Sequence, residues 1–167
     1  KEDLPTVCRA LRSISRALRA IEKETKESWL EAGGTEYYAA SDMPVSLEAP
    51  VLDFITETEH WMLTRGAEEK EYEDELITLF FDLLHFKNIL EVYSKEYRTL
   101  ITGSGSRLRL SLMCLDPGIT LNGYMNAARS VVLFSATLSP LSYFRNILGG
   151  RDGDVTLRLP SPFPREN

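Results

Sequence analysis

Two groups of residues in this chain have types and spacings that suit chemistry. Ser135-Ala136-Thr137 places two hydroxyls two residues apart, directly after the apolar run from Ser130 to Phe134. Each hydroxyl can donate and accept a hydrogen bond, and small residues let backbones approach closely, so the triplet suits a relay between two sites. The plainer alternative is that Ser135 caps a turn, or caps the helix that starts near Pro140. The second group is Arg9, Arg12, Arg16, Arg19 and Lys23, which recur at three-four spacing. On a helix rising ~1.5 Å per residue they align over about 20 Å, a length that can follow several phosphates of an extended strand. A basic stripe opposite an apolar face is also how an ordinary solvated helix surface looks, and Glu22, Glu24 and Glu27 dilute its C-terminal end. Trp29, Tyr37 and Tyr38 are the aromatic candidates for stacking on bases nearby, with core packing or loop anchoring as the alternative.

Other reactive residue types lack partners at useful spacing. Cys8 and Cys114 lie far apart with no CxxC and no paired histidine, so these residues alone build neither a zinc site nor an iron–sulfur cluster. His60 and His85 have no second ligand at a metal spacing. The acidic run Glu68, Glu69, Glu71, Glu73, Asp74, Glu75 has no EF-hand spacing and is expected to form a solvated tip that repels DNA, although a cation or basic partner would also suit it. No GxxxxGK[ST] loop and no Asp-Glu-x-His sequence occurs. The residues that hold phosphates and magnesium in an NTPase are therefore missing, and no catalytic residue, metal ligand or bound cofactor is expected in this chain.

The elements that must position these residues are mostly helical. Leu4, Val7, Leu11, Ile14, Leu18 and Ile21 predict a long amphipathic helix with Pro5 in its first turn, ending at Gly33-Gly34. Thr35 to Ala49 reads as a loop, and a second helix runs from Pro50 towards Gly66. A third, roughly Tyr72 to Glu96, is apolar around most of its circumference and is expected to be the hub of the helical part. Strict alternation in Arg107-Leu108-Arg109-Leu110-Ser111-Leu112, with Tyr97 to Thr102 across Gly103-Ser104-Gly105-Ser106, predicts a hairpin or returning strand. After Asp116-Pro117-Gly118 a short helix from about Leu121 to Arg129 is expected, and Ser130 to Phe134 has the composition of a strand buried on both faces. Such a strand needs neighbours that this sequence hardly supplies.

Composition sets the outer limits. The 167 residues are enough for a sizeable core, with 43% hydrophobic and 26% charged residues. No apolar run nears the ~20 residues of a membrane helix, and a reduced, cytoplasmic setting is expected. A net charge of -6 argues against wrapping duplex nucleic acid by bulk electrostatics, so any nucleic-acid contact must be local. The opening Lys1-Glu2-Asp3, without Met or a signal segment, is expected to be an internal boundary of a longer protein.

Three ordered segments carry a family resemblance. The first is Val131-Val132-Leu133-Phe134-Ser135-Ala136-Thr137-Leu138-Ser139-Pro140-Leu141, continued by Tyr143, Phe144, Leu148, Gly149 and Gly150. It resembles the Ser-Ala-Thr helicase motif in the form found in XPD/DinG-type ATP-dependent DNA helicases of superfamily two. Upstream, Cys114-Leu115-Asp116-Pro117 looks like a step of the same family. Downstream, Leu159-Pro160-Ser161-Pro162-Phe163-Pro164-Arg165-Glu166-Asn167 resembles the passage into the second motor domain. The resemblance covers the last third of the chain, and the helical remainder matches the family's Arch insertion in place and character only.

It implies an α+β, mainly α-helical chain: an Arch-like insertion over 1–103, the C-terminal part of an incomplete α/β first motor domain over 104–160, and the start of the second over 161–167. Ser135, Ala136 and Thr137 are then the coupling motif between ATP hydrolysis and unwinding, and the parent protein uses ATP and magnesium. Single-stranded DNA and the remaining motor domains are the expected partners of a monomer, with DNA repair the expected setting. A non-enzymatic helical interaction module, using the acidic run and the long third helix, is the alternative.

Overall fold

A computed structural model describes residues 4–31, 37–64, 72–104 and 107–160, and the side chains of 26–31, 37, 104 and 107 are outside that description. The chain divides into two compact units, Lys1–Leu115 and Asp116–Asn167.

In the first unit, helix α1 spans Pro5–Glu31. Proline at its start loses nothing, because the N–H it lacks has no partner in a first turn, and the amide of Cys8 already bonds Leu4 O at 2.9 Å. The predicted stripe is the buried face: Val7, Ala10 and Ile14 are in the core, with Leu4, Leu11, Leu18 and Ile21 packed beside them. A short 3-10 turn at Val45–Leu47 leads into α2, Glu48–Thr64, with Pro50 in its first turn. Helix α3 covers Glu73–Glu91 and has Glu73, Asp74 and Glu75 in its first turn. Carboxylates there offset the positive end of the helix dipole.

Helix α2, rather than α3, is the hub. It packs against both α1 and α3, and Val51, Phe54, Ile55 and Thr58 are its buried residues. The expectation for α3 rested on its high apolar content, yet that helix buries only Leu76, Phe80 and Leu90 among its apolar residues and leaves Phe81 59% exposed. Apolar residues around a helix's whole circumference do not fix how many faces are covered; the spacing of Val51, Phe54, Ile55 and Thr58 marks a single saturated stripe. Helix α3 also stops five residues earlier than expected, because residues 92–96 turn the chain into the sheet, with Tyr93 N bonded to Leu90 O and Tyr97 N to Ser94 O.

The sheet has three antiparallel strands in the order β1 (Tyr37–Ala40), β2 (Tyr97–Ser104), β3 (Arg107–Cys114). The expected hairpin is β2–β3, in register from Tyr97 opposite Cys114 to Ser104 opposite Arg107. It crosses residues 103 and 104, so the first compact unit runs on to Leu115. Tyr97, Thr99 and Ile101 are buried on one face of β2, and Leu110, opposite Ile101, packs on the helical core. Strand β1 falls in the stretch expected to be a loop. Its four residues Tyr-Tyr-Ala-Ala carry no alternation; pairing with residues 99–102 of β2 makes them a strand, and a partner so distant in the chain leaves no local signal.

In the second unit, α4 spans Gly118–Asn126 and α5 spans Leu141–Ile147. Helix α4 begins earlier than expected because the Asp116 carboxylate accepts the Gly118 amide at 2.9 Å and starts the turn there. Past α5 the chain closes a Schellman motif, with Gly149 N on Asn146 O at 3.1 Å and Gly150 N on Arg145 O at 2.7 Å. Gly149 takes φ 77°, and a Cβ there would lie 2.3 Å from Gly118 O. Asn122 Nδ2 donates to Gly149 O at 2.7 Å, which ties α4 to the end of α5.

The strand expected at Ser130 to Phe134 is not formed. The segment has no regular secondary structure and is unpaired, and Val132 and Phe134 are 81% and 89% exposed. A strand exists only through hydrogen bonds to neighbours, and all three strands among the described residues pair with one another in the first unit.

Candidate coupling motif, basic helix face and groove

Ser135, Ala136 and Thr137 are exposed in a tight turn. Ser135 Oγ accepts the Thr137 amide at 3.1 Å and lies 3.0 Å from Thr137 Oγ1, where either hydroxyl can donate. Ser139 N then bonds Thr137 O at 2.8 Å. Ser135 thus caps the turn and not α5, whose N-cap is Pro140 with no side-chain cap hydrogen bond. Capping the turn leaves the two hydroxyls able to exchange donor and acceptor roles with a third group.

The five cations all lie on α1, and each is exposed. At ~100° per residue they fall within an arc of about 80°, diametrically opposite Val7, Ala10 and Ile14. Among the described residues none of the five makes an ion pair, so their charge is free to meet an anion from solution. Of the aromatic candidates, Trp29 and Tyr37 have side chains outside the described set, and Tyr38 is half-buried.

The remaining candidates are dispersed. His60 is exposed on α2 and His85 on α3, while Cys8 and Cys114 are free, half-buried thiols on α1 and β3. Among the described residues no three histidine, cysteine or acidic side chains gather as metal ligands, and no helix is long and apolar enough to cross a membrane. Glu68, Glu69 and Glu71 lie outside the described residues. Glu73 does not belong to a solvated tip: it is 6% exposed and engaged with a neighbour.

A groove of about 400 Å³ lies within the first unit, between the C-terminal half of α1, the strands β1 and β2, and the segment 42–46. Its walls come from residues more than seventy positions apart, none at a spacing that would have singled it out. Comparison with protein-family models, curated proteins and solved structures finds no match to this chain.

Proposed function

We propose that the chain is part of an ATP-dependent DNA helicase similar to the XPD/DinG type, in which the first unit, through Leu115, is a mainly helical insertion that guides single-stranded DNA and residues 116–160 close the first motor domain. The observation that carries this reading is the state of residues 131–134. Their composition suits a buried strand, yet Val132 and Phe134 stand largely exposed in an unpaired segment without regular secondary structure. Covering just these two side chains is worth roughly 3–6 kcal/mol, and a soluble chain rarely forgoes so much without a partner. The sheet of a motor domain supplies such cover, and it would hold Ser135 and Thr137 at the strand's end, where their paired hydroxyls couple nucleotide hydrolysis to movement along DNA. ATP and magnesium belong to the parent protein's other motor segments; the exposed face of α1 supplies phosphate contacts.

The test is made in the parent protein. Replacing Ser135→Ala together with Thr137→Ala should slow unwinding by about 2- to 30-fold, the size of a coupling loss, and leave nucleotide affinity unchanged. A parent that neither hydrolyses ATP in the presence of single-stranded DNA nor unwinds a tailed duplex overturns the assignment.

A further inference from the structure

We propose that the groove between α1 and the sheet binds an arginine-bearing segment of a partner protein. Its size, about 400 Å³, is within the range of pockets that take a side chain or small ligand. Ile21, Val45 and Ile101 give it aliphatic walls, Tyr38 an aromatic one, and Glu24 and Asp42 its charge. Among the described residues no lysine or arginine lines it. Both carboxylates are exposed, and neither makes an ion pair among the described residues. Its described lining is therefore largely apolar and carries negative charge only.

The floor is held before any ligand arrives. Thr99 Oγ1 donates to Asp42 O at 2.8 Å, Tyr93 Oη lies 3.2 Å from the same carbonyl, and the two hydroxyls lie 3.1 Å apart. Two hydroxyls hold the backbone that carries the Asp42 carboxylate: Thr99 of β2 donates to Asp42 O, and the single Tyr93 proton, from the connection before β2, goes to that carbonyl or to Thr99 Oγ1. The Thr25 hydroxyl bonds Ile21 O at 2.8 Å, so it does not compete for a ligand. A preformed site spares its ligand the cost of ordering it.

Chemistry selects the occupant. Phosphate is repelled by the carboxylates, so this side of α1 is closed to nucleic acid. A wholly apolar ligand would leave Glu24 and Asp42 desolvated without partners. Arginine satisfies every wall: its methylenes cover the aliphatic residues, its planar guanidinium stacks on tyrosine, and its fork of donors matches a carboxylate. Lysine offers a charge but neither the plane nor the fork. The proposal is independent of the helicase reading, since the isolated chain carries the whole groove.

The experiment titrates the full chain with the peptide acetyl-Leu-Arg-Leu-Arg-Leu-amide, followed by backbone amide chemical shifts. Saturable shifts should centre on Thr25, Tyr38, Asp42 to Ser46 and Thr99. The near-isosteric variant Glu24→Gln with Asp42→Asn should weaken binding by about 2- to 30-fold, as loss of two exposed charge pairs dictates. Asp53→Asn with Glu59→Gln, which removes the same charge from the exposed side of α2, should bind as the parent does. Equal weakening by both variants would reduce the effect to net charge and overturn the site. Equal binding of the glutamine-substituted peptide, shifts centred elsewhere, or displacement of the peptide by millimolar calcium would overturn the arginine assignment.

Discussion

Reversing Arg12, Arg16 and Arg19 to Glu tests whether the basic face of α1 meets a nucleic-acid backbone. The three residues lie within about 10 Å along the helix and are exposed on the side away from Val7, Ala10 and Ile14. Exposed substitutions of this kind change stability by about 0.5 kcal/mol or less each, so the variant should keep its helical circular dichroism. Each phosphate contact on single strands contributes a slope of about -0.7 to log affinity against log salt. Loss of three contacts makes the slope shallower by about 2, which at 0.1 M salt corresponds to roughly a hundredfold weaker binding. Unrelated oligonucleotide sequences should lose affinity by the same factor, because phosphates carry no base information. Fluorescence anisotropy with several oligonucleotides at a series of salt concentrations reads both quantities. A folded variant with unchanged affinity and slope would show that the stripe is only a solvated surface.

Three further outcomes are expected. The isolated chain should show no DNA-stimulated ATP hydrolysis in a phosphate-release assay, since it has no phosphate loop or magnesium-binding acid; turnover that Ser135→Ala abolishes would contradict this. Phe54→Ala should destabilise the first unit by about 3–5 kcal/mol, because Phe54 is 0% exposed in the stripe shared by α1, α2 and α3. Denaturant unfolding measures it, and a loss below about 1 kcal/mol would mean the hub is elsewhere. Gly149→Ala should cost at least the ~1–2 kcal/mol of a left-handed side-chain-bearing residue and push α5 from α4, since its Cβ meets Gly118 O. Hydrogen exchange at the Gly149 and Gly150 amides should accelerate, and unchanged protection would refute the capping account.

What the sequence made legible was what it encodes locally. Val7, Ile14 and Ile21 announce the buried face of α1, and the alternation from Arg107 to Leu112 announces β3, because a periodic apolar pattern is a direct image of one covered face. Distant contacts left no such image. Strand β1 exists through residues 99–102, the groove joins Ile21 to Ile101, and neither pairing can be inferred from a local window. Ser130 to Phe134 shows the converse: the composition of a buried strand was plain, but composition cannot provide the neighbours that make one. For the site, the geometry adds to the basic stripe its exposure and, among the described residues, its freedom from ion pairs, and to Ser135 and Thr137 the 3.0 Å between their hydroxyls.

The register of the sheet also orders its assembly in time. Strands β2 and β3 lie only two residues apart in the chain, and hairpins of this kind close in about 1–10 μs. Tyr37, by contrast, must find Thr102 across roughly 65 residues that include both α2 and α3, and the entropy of closing so long a loop is recovered only after those helices have packed. Strand β1 is therefore expected to dock late in refolding and to detach early under mild denaturant. The groove, which depends on Tyr38, Ala40 and the chain just after them, is then expected to be completed last and lost first.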